Sequence, residues 1–165
     1  MAYRLHRLNQ LRRVIGSRLF AVLDSEGVVF FQSLVYLHLA VAGAYGLTVA
    51  GGTPESLTEA LGPHIDTVWL CLCMGGTICL LGKIFSSKPD RRRYWVHTTG
   101  LLLQFAGDLL ALGAFLGYVL ATVQDSSWGK ALVAVWVFAS LAECAFFLCW
   151  RDLRRFIQAE RRVRR

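Results

Sequence analysis

Four stretches of this chain, approximately residues 27–50, 65–85, 96–123 and 131–150, are each long and apolar enough to cross a hydrocarbon core of about 30 Å, which takes about 20 helical residues. The first carries no formal charge, the second has Asp66 and Lys83 only near its ends, and the third and fourth hold one acid each, Asp108 and Glu143. Lipid offers no partner to a backbone N–H or C=O, so runs of this length must be helices despite their glycines and β-branched residues. The fold class that follows is all-α: a polytopic integral membrane protein of four transmembrane helices, preceded by an interfacial amphipathic helix. A hydrophobic content of 55% supports it, since soluble domains run at roughly 45–50%.

Charge placement gives the orientation. Of the 18 Lys and Arg residues, all but Lys130 fall in three blocks: the N-terminal segment, the second connection, and the tail after residue 150. Cations in short connections are retained on the cytoplasmic side, so both termini are expected in the cytoplasm of a multi-pass protein of the inner membrane. The charged lead of 26 residues, with Asp24 and Glu26, and the long first apolar run read as an uncleaved first span rather than a secretory signal.

Residues 1–26 form a basic amphipathic segment. Met1, Leu5, Leu8, Leu11, Ile15, Leu19 and Val22 recur at three- and four-residue steps, with Arg7, Arg13 and Arg18 away from that stripe and Arg12 near it, where it must snorkel. Residues 151–165 make a basic cytoplasmic tail, which repeats the pattern more weakly through Leu153, Phe156, Ile157 and Val163 and extends the fourth span. A net charge of +7 is thereby assigned to the anionic inner leaflet as partner rather than to nucleic acid. The residues expected against lipid head groups or a partner's acidic face are Arg4, Arg7, Arg12, Arg13, Arg18, Lys88, Arg91, Arg92, Arg93, Arg151, Arg154 and Arg155.

Ionisable groups inside a span are expensive and need a partner or a wet cavity. Counted at 1.5 Å per residue, His38, Gln104, Asp108 and Glu143 lie at depths that allow one polar seam, with Gln32 nearer the inner surface. Such a seam either lines a proton or ion pathway or serves as hydrogen-bonded glue between helices, with Asp108 and Glu143 as donors in their neutral form. No intramembrane cation beyond the near-terminal Lys83 is available to pair with these acids. Pairs of small residues four apart, Gly113 and Gly117, Ala42 and Gly46, and Cys71, Gly75 and Cys79, mark candidate close helix contacts.

Other chemistries find no support in the pattern. The five cysteines all lie in apolar runs, without the spacing of a metal or redox site. His38 and His97 sit at different depths, which does not suit axial haem ligands, and no nucleophile with a matched base appears. The expectation is therefore a non-enzymatic protein without a cofactor.

Over its whole length, and in the texture of Leu23-Asp24-Ser25-Glu26-Gly27-Val28-Val29-Phe30-Phe31, the chain resembles the small, arginine-ended, four-span membrane proteins of actinobacterial tailed phages, some of them holin-like. The resemblance implies a prokaryotic inner membrane and a protein that oligomerises there; it assigns no role to any residue. The expected function is an oligomerising membrane protein that forms or regulates a passage through the bilayer. The alternative is an assembly or anchoring subunit of a larger complex, held through the basic helix and tail.

Overall fold

A computed structural model describes residues 21–50, 63–86, 94–124 and 128–163. The N-terminal amphipathic segment with Arg4, Arg7, Arg12, Arg13 and Arg18, and the cluster from Lys88 to Arg93, lie outside the described residues.

The described chain is helical throughout. Helix α1 (Glu26–Tyr45) starts after Ser25, whose extended backbone turns the chain into the helix with Glu26 in the first turn, and it continues into a π-helical turn over Gly46–Ala50. Helix α2 (Pro63–Cys73) has proline at its first position, where the missing N–H is not needed. It is followed by α3 (Gly75–Ser86), then α4 (Tyr94–Gln124) and α5 (Trp128–Val163). Four helical spans are long and apolar enough to cross a membrane: Glu26–Val49, Thr67–Ser86, Tyr94–Val123 and Val133–Arg161.

The second span is broken where the sequence pattern reads as one helix. At Met74 the backbone N–H lies 3.1 Å from the Cys71 oxygen, and the Met74 oxygen accepts from Thr77 at 3.0 Å. These tight three-residue bonds keep the backbone polar groups satisfied across the break, as an apolar surrounding requires. The two residues after the break are glycines because neighbouring elements occupy the space of a side chain: a Cβ on Gly76 would collide with the Tyr36 backbone oxygen, and one on Gly75 with Leu110.

Helix α4 is central, packed along its length against α3 on one side and α5 on the other, while α1 lies on α2 and α3. The core is made of small residues and a few aromatics: Cys73, Cys79, Ala111, Ala114, Ala142 and Ala145 around Tyr36, Leu39 and Phe115. Large apolar side chains point the other way, with Phe30, Trp95, Val133 and Trp136 each more than two-thirds exposed. A soluble protein rarely presents so much contiguous apolar surface. Five hydroxyls on the spans are satisfied within their own helix, as Ser33, Thr48, Thr98, Thr122 and Ser140 each donate to the carbonyl four residues back.

Close approach comes from glycines seven residues apart. Gly82 of α3 meets the Gly100–Gln104 turn of α4, and Gly107 of α4 lies on the Cys79 backbone. Of the residues spaced four apart, Gly75 and Cys79 are buried in this same α3–α4 contact, Gly113 and Gly117 face only side chains, those of Leu72 and Trp69, and Ala42 and Cys71 are exposed.

Candidate functional site

The buried polar groups gather at the level of the second and third turns of α1. Asp108 is fully buried on α4, on the same stripe as Gln104, Gly107, Ala111, Ala114 and Phe115. Its Oδ1 accepts from Gln32 Nε2 at 2.8 Å and from Cys79 Sγ at 3.5 Å. Gln32 turns its other end to α5, where its Oε1 accepts from Arg151 Nη2 at 3.2 Å.

Arg151 is where the sequence reading and the structure part. It was expected in the tail against head groups; instead it is 1% exposed, and its guanidinium points back into the bundle. Nε and Nη2 grip Asp152 at 2.6 and 3.1 Å, and Nη1 donates to the Leu23 oxygen at 3.1 Å. The helix of the fourth span runs on through the tail to Val163, as the spacing of the tail suggested, and Arg151 and Asp152 form a further buried turn of it. The bundle therefore holds an internal cation that the charge count along the spans did not supply. One turn further, Arg155 pairs with Asp24 at 2.7 Å and lies 3.6 Å from Asp152. Arg154 is exposed.

The result is a continuous chain of polar contacts from the half-exposed Arg155–Asp24 pair, through Asp152, Arg151 and Gln32, to Asp108. It ends blind. Asp108 Oδ2 and the Tyr36 hydroxyl make no hydrogen bond, and beyond them the bundle is filled by Cys73, Ala111, Ala114 and Phe115.

Of the four residues expected in one seam, the structure keeps two inside and puts two outside. Gln104 is buried, but it donates to Ser86 Oγ at 2.5 Å and to the Gly82 oxygen at 3.3 Å rather than joining Asp108. His38 and Glu143 are exposed on the outer faces of α1 and α5. The His38 Nδ1 sits 2.8 Å from the Leu34 oxygen, a carbonyl that only accepts, so Nδ1 is the donor in that bond and Nε2 is left for another partner. Lys83 is half-buried and ties α3 to α1 through Ser33 Oγ and the Val29 oxygen.

Tyr36, Cys79, Arg151 and Asp152 were missed as members of the buried cluster. The signal for Asp152 lay in the spacing: it follows Ala145, Leu148 and Cys149 at steps that continue their buried stripe. No protein-family model, no curated protein and no solved structure matches the chain.

Proposed function

We propose that the chain is a non-enzymatic, multi-pass inner-membrane protein that oligomerises and forms or regulates a passage through the bilayer, holin-like or channel-like. The observation that carries this reading is the position of His38 and Glu143. Counted from the Asp24–Arg155 level, His38 lies about 21 Å and Glu143 about 18 Å along their helices, close to mid-membrane, and both face outward. A lone chain would hold two ionisable groups against hydrocarbon at its most costly depth. Neighbouring copies remove that cost, either by pairing Glu143 of one with Nε2 of His38 of the next, or by turning both towards a wet axis. A face of α1 against a face of α5 is a heterologous contact, which gives a ring where the rotation between copies closes. Between copies is also where a continuous passage has room, because the interior of each chain is closed beyond Asp108 by the apolar core.

The test is subunit counting in a mild detergent together with ion flux across reconstituted vesicles, for the wild type and for Glu143→Leu and His38→Leu. Each substitution is expected to weaken self-association roughly fivefold per lost contact and to change flux. A wild type that is monomeric and passes no ion under any gradient would remove the reading.

The second reading, an anchoring subunit, is favoured by a recess of about 430 Å³ at the cation-rich end, bordered by Ser86, His97, Gln158 and the Asp24–Arg155 pair. Co-purification of a partner that is lost on Gln158→Trp would support it.

The orientation, with both termini in the cytoplasm, rests on the cation distribution. Single cysteines introduced at Ser56 or Ser126 in a cysteine-free background are expected to react with impermeant reagents from outside the cell, and those at Ser87 or Gln158 are not. Labelling at Ser87 in intact cells would invert the topology.

A further inference from the structure

Helices α1 and α5 are not closely packed on each other, and a cleft of about 270 Å³ lies between them. Its walls are apolar, formed by Gly27, Phe31 and Val35 of α1 and Cys144 and Leu148 of α5, with Tyr36 towards its far end. At the cation-rich end it is shut by two links between the helices, Arg151 Nη1 to the Leu23 oxygen and Arg155 to Asp24. The cleft is open to the side.

Three features say what fits. The α1 wall from Gly27 to Tyr36 extends about 14 Å at 1.5 Å per residue, roughly half of the 30 Å hydrocarbon core. A spanning helix of a second copy or partner needs a groove of the full thickness; a chain from one leaflet needs half. Just beyond the closed end of the cleft, and outside its lining, Arg155 and Asp24 form an ion pair whose members are about one-third and one-half exposed. Finally, a Cβ built on Gly27 meets nothing within 4 Å, so the cleft has free space at the wall nearest its charged end.

We infer that this cleft binds one phospholipid of the cation-rich leaflet, its acyl chain between α1 and α5 and its zwitterionic head group over the Arg155–Asp24 pair. Phosphate meets the guanidinium and an ammonium meets the carboxylate. The bound chain lies against Gln32 and Tyr36 and so sets the spacing of α1 and α5 across the Arg151–Gln32–Asp108 contacts. The inference rests on the membrane placement of the spans and is independent of any passage.

The test uses full-length protein in phosphatidylglycerol vesicles containing a small fraction of phosphatidylethanolamine with a photoactivatable acyl chain, with adducts mapped by peptide mass spectrometry. Adducts at Phe31, Cys144 and Leu148 are expected to exceed those at the outer-face residues Phe30, Val133 and Trp136. Gly27→Leu, which fills open space without a backbone clash, is expected to lower the cleft adducts to the outer-face level, and Gly27→Ala to preserve the excess. Arg155→Gln is expected to reduce the excess by weakening the head-group contact. Uniform labelling of cleft and outer face would overturn the site while leaving the membrane placement intact. Absence of adducts at every position would overturn both. A change of subunit number in Gly27→Leu without any change in adducts would assign the cleft to a second copy and overturn the lipid.

Discussion

Asp152→Leu is expected to destabilise the bundle by about 3–5 kcal/mol, the cost of stranding a buried charge whose partner has been removed. Arg151 and Asp152 are both essentially inaccessible, and Asp152 takes two of the guanidinium's hydrogen bonds. Without it, Arg151 hydrogen-bonds only to the Gln32 amide oxygen and the Leu23 carbonyl, neither of which carries a charge, and the remaining buried carboxylate, Asp108, is reached only through Gln32. Snorkelling towards the level of Arg155 would relieve part of the cost but would break both of those contacts. The measurement is reversible unfolding in mixed micelles, followed by tryptophan fluorescence. Asp152→Asn keeps the shape and should fall between wild type and Asp152→Leu. The double variant Arg151→Met/Asp152→Leu removes both charges and is expected to recover most of the loss, since apolar pairs often replace buried ion pairs at no net cost. A cost below about 1 kcal/mol for Asp152→Leu, the range of exposed pairs, would mean that the pair is solvated and that the polar chain to Asp108 is not sealed.

The same pair shows where reading from sequence stops. The four spans were legible because an apolar run of about 20 residues has few other ways to satisfy its backbone. A helix long and apolar enough to cross a membrane lies over each of the four runs. The burial of Arg151 was not legible because it begins a basic run, and a basic run after an apolar one reads as the water boundary. Helical spacing was the better guide: Asp152 continues the Ala145–Leu148–Cys149 stripe, so it belongs inside and takes its neighbour's guanidinium with it. Depth counting brought Gln104 and Asp108 to the interior but placed His38 and Glu143 with them, since depth along a helix is blind to which way a side chain faces. The facing of α1 is set by Gln32, Tyr36, Leu39, Ala40 and Gly43, a stripe from which His38 is turned away. Its apolar outer face is as hydrophobic as the inner one, so hydrophobicity alone could not choose between them.

Substitution at the α3–α4 glycines should separate backbone contact from ordinary packing through the sign of the effect. On Gly82 an added Cβ would sit 2.6 Å from the Gln104 nitrogen and 2.7 Å from the Gly100 oxygen; on Gly107 it would sit 2.5 Å from the Cys79 nitrogen. These are main-chain atoms of a neighbouring helix, so no rotamer change relieves the clash, and α3 and α4 must move apart along a contact that also holds Gln104 on the Gly82 oxygen. Overpacking of this kind costs about 1–3 kcal/mol for a small side chain, against a gain of about 1 kcal/mol in helix propensity from Gly to Ala. Gly82→Ala and Gly107→Ala are therefore expected to be net destabilising, and Gly107→Val, with two further methyl groups in the same place, more strongly so. Gly113 lies on the same helix, but its Cβ would meet only the terminal methyls of Leu72 at 3.5 and 3.6 Å, ordinary contact distances. Gly113→Ala should keep the propensity gain and leave the bundle as stable as the wild type or more so. Unfolding in mixed micelles reads all four variants, and cross-linking between cysteines placed on α3 and α4 reports whether the helices have separated. If Gly82→Ala and Gly107→Ala unfold together with Gly113→Ala, at or above the wild-type midpoint, then α3 and α4 do not pack backbone on backbone, and the alignment that brings Cys79 to Asp108 goes with that contact.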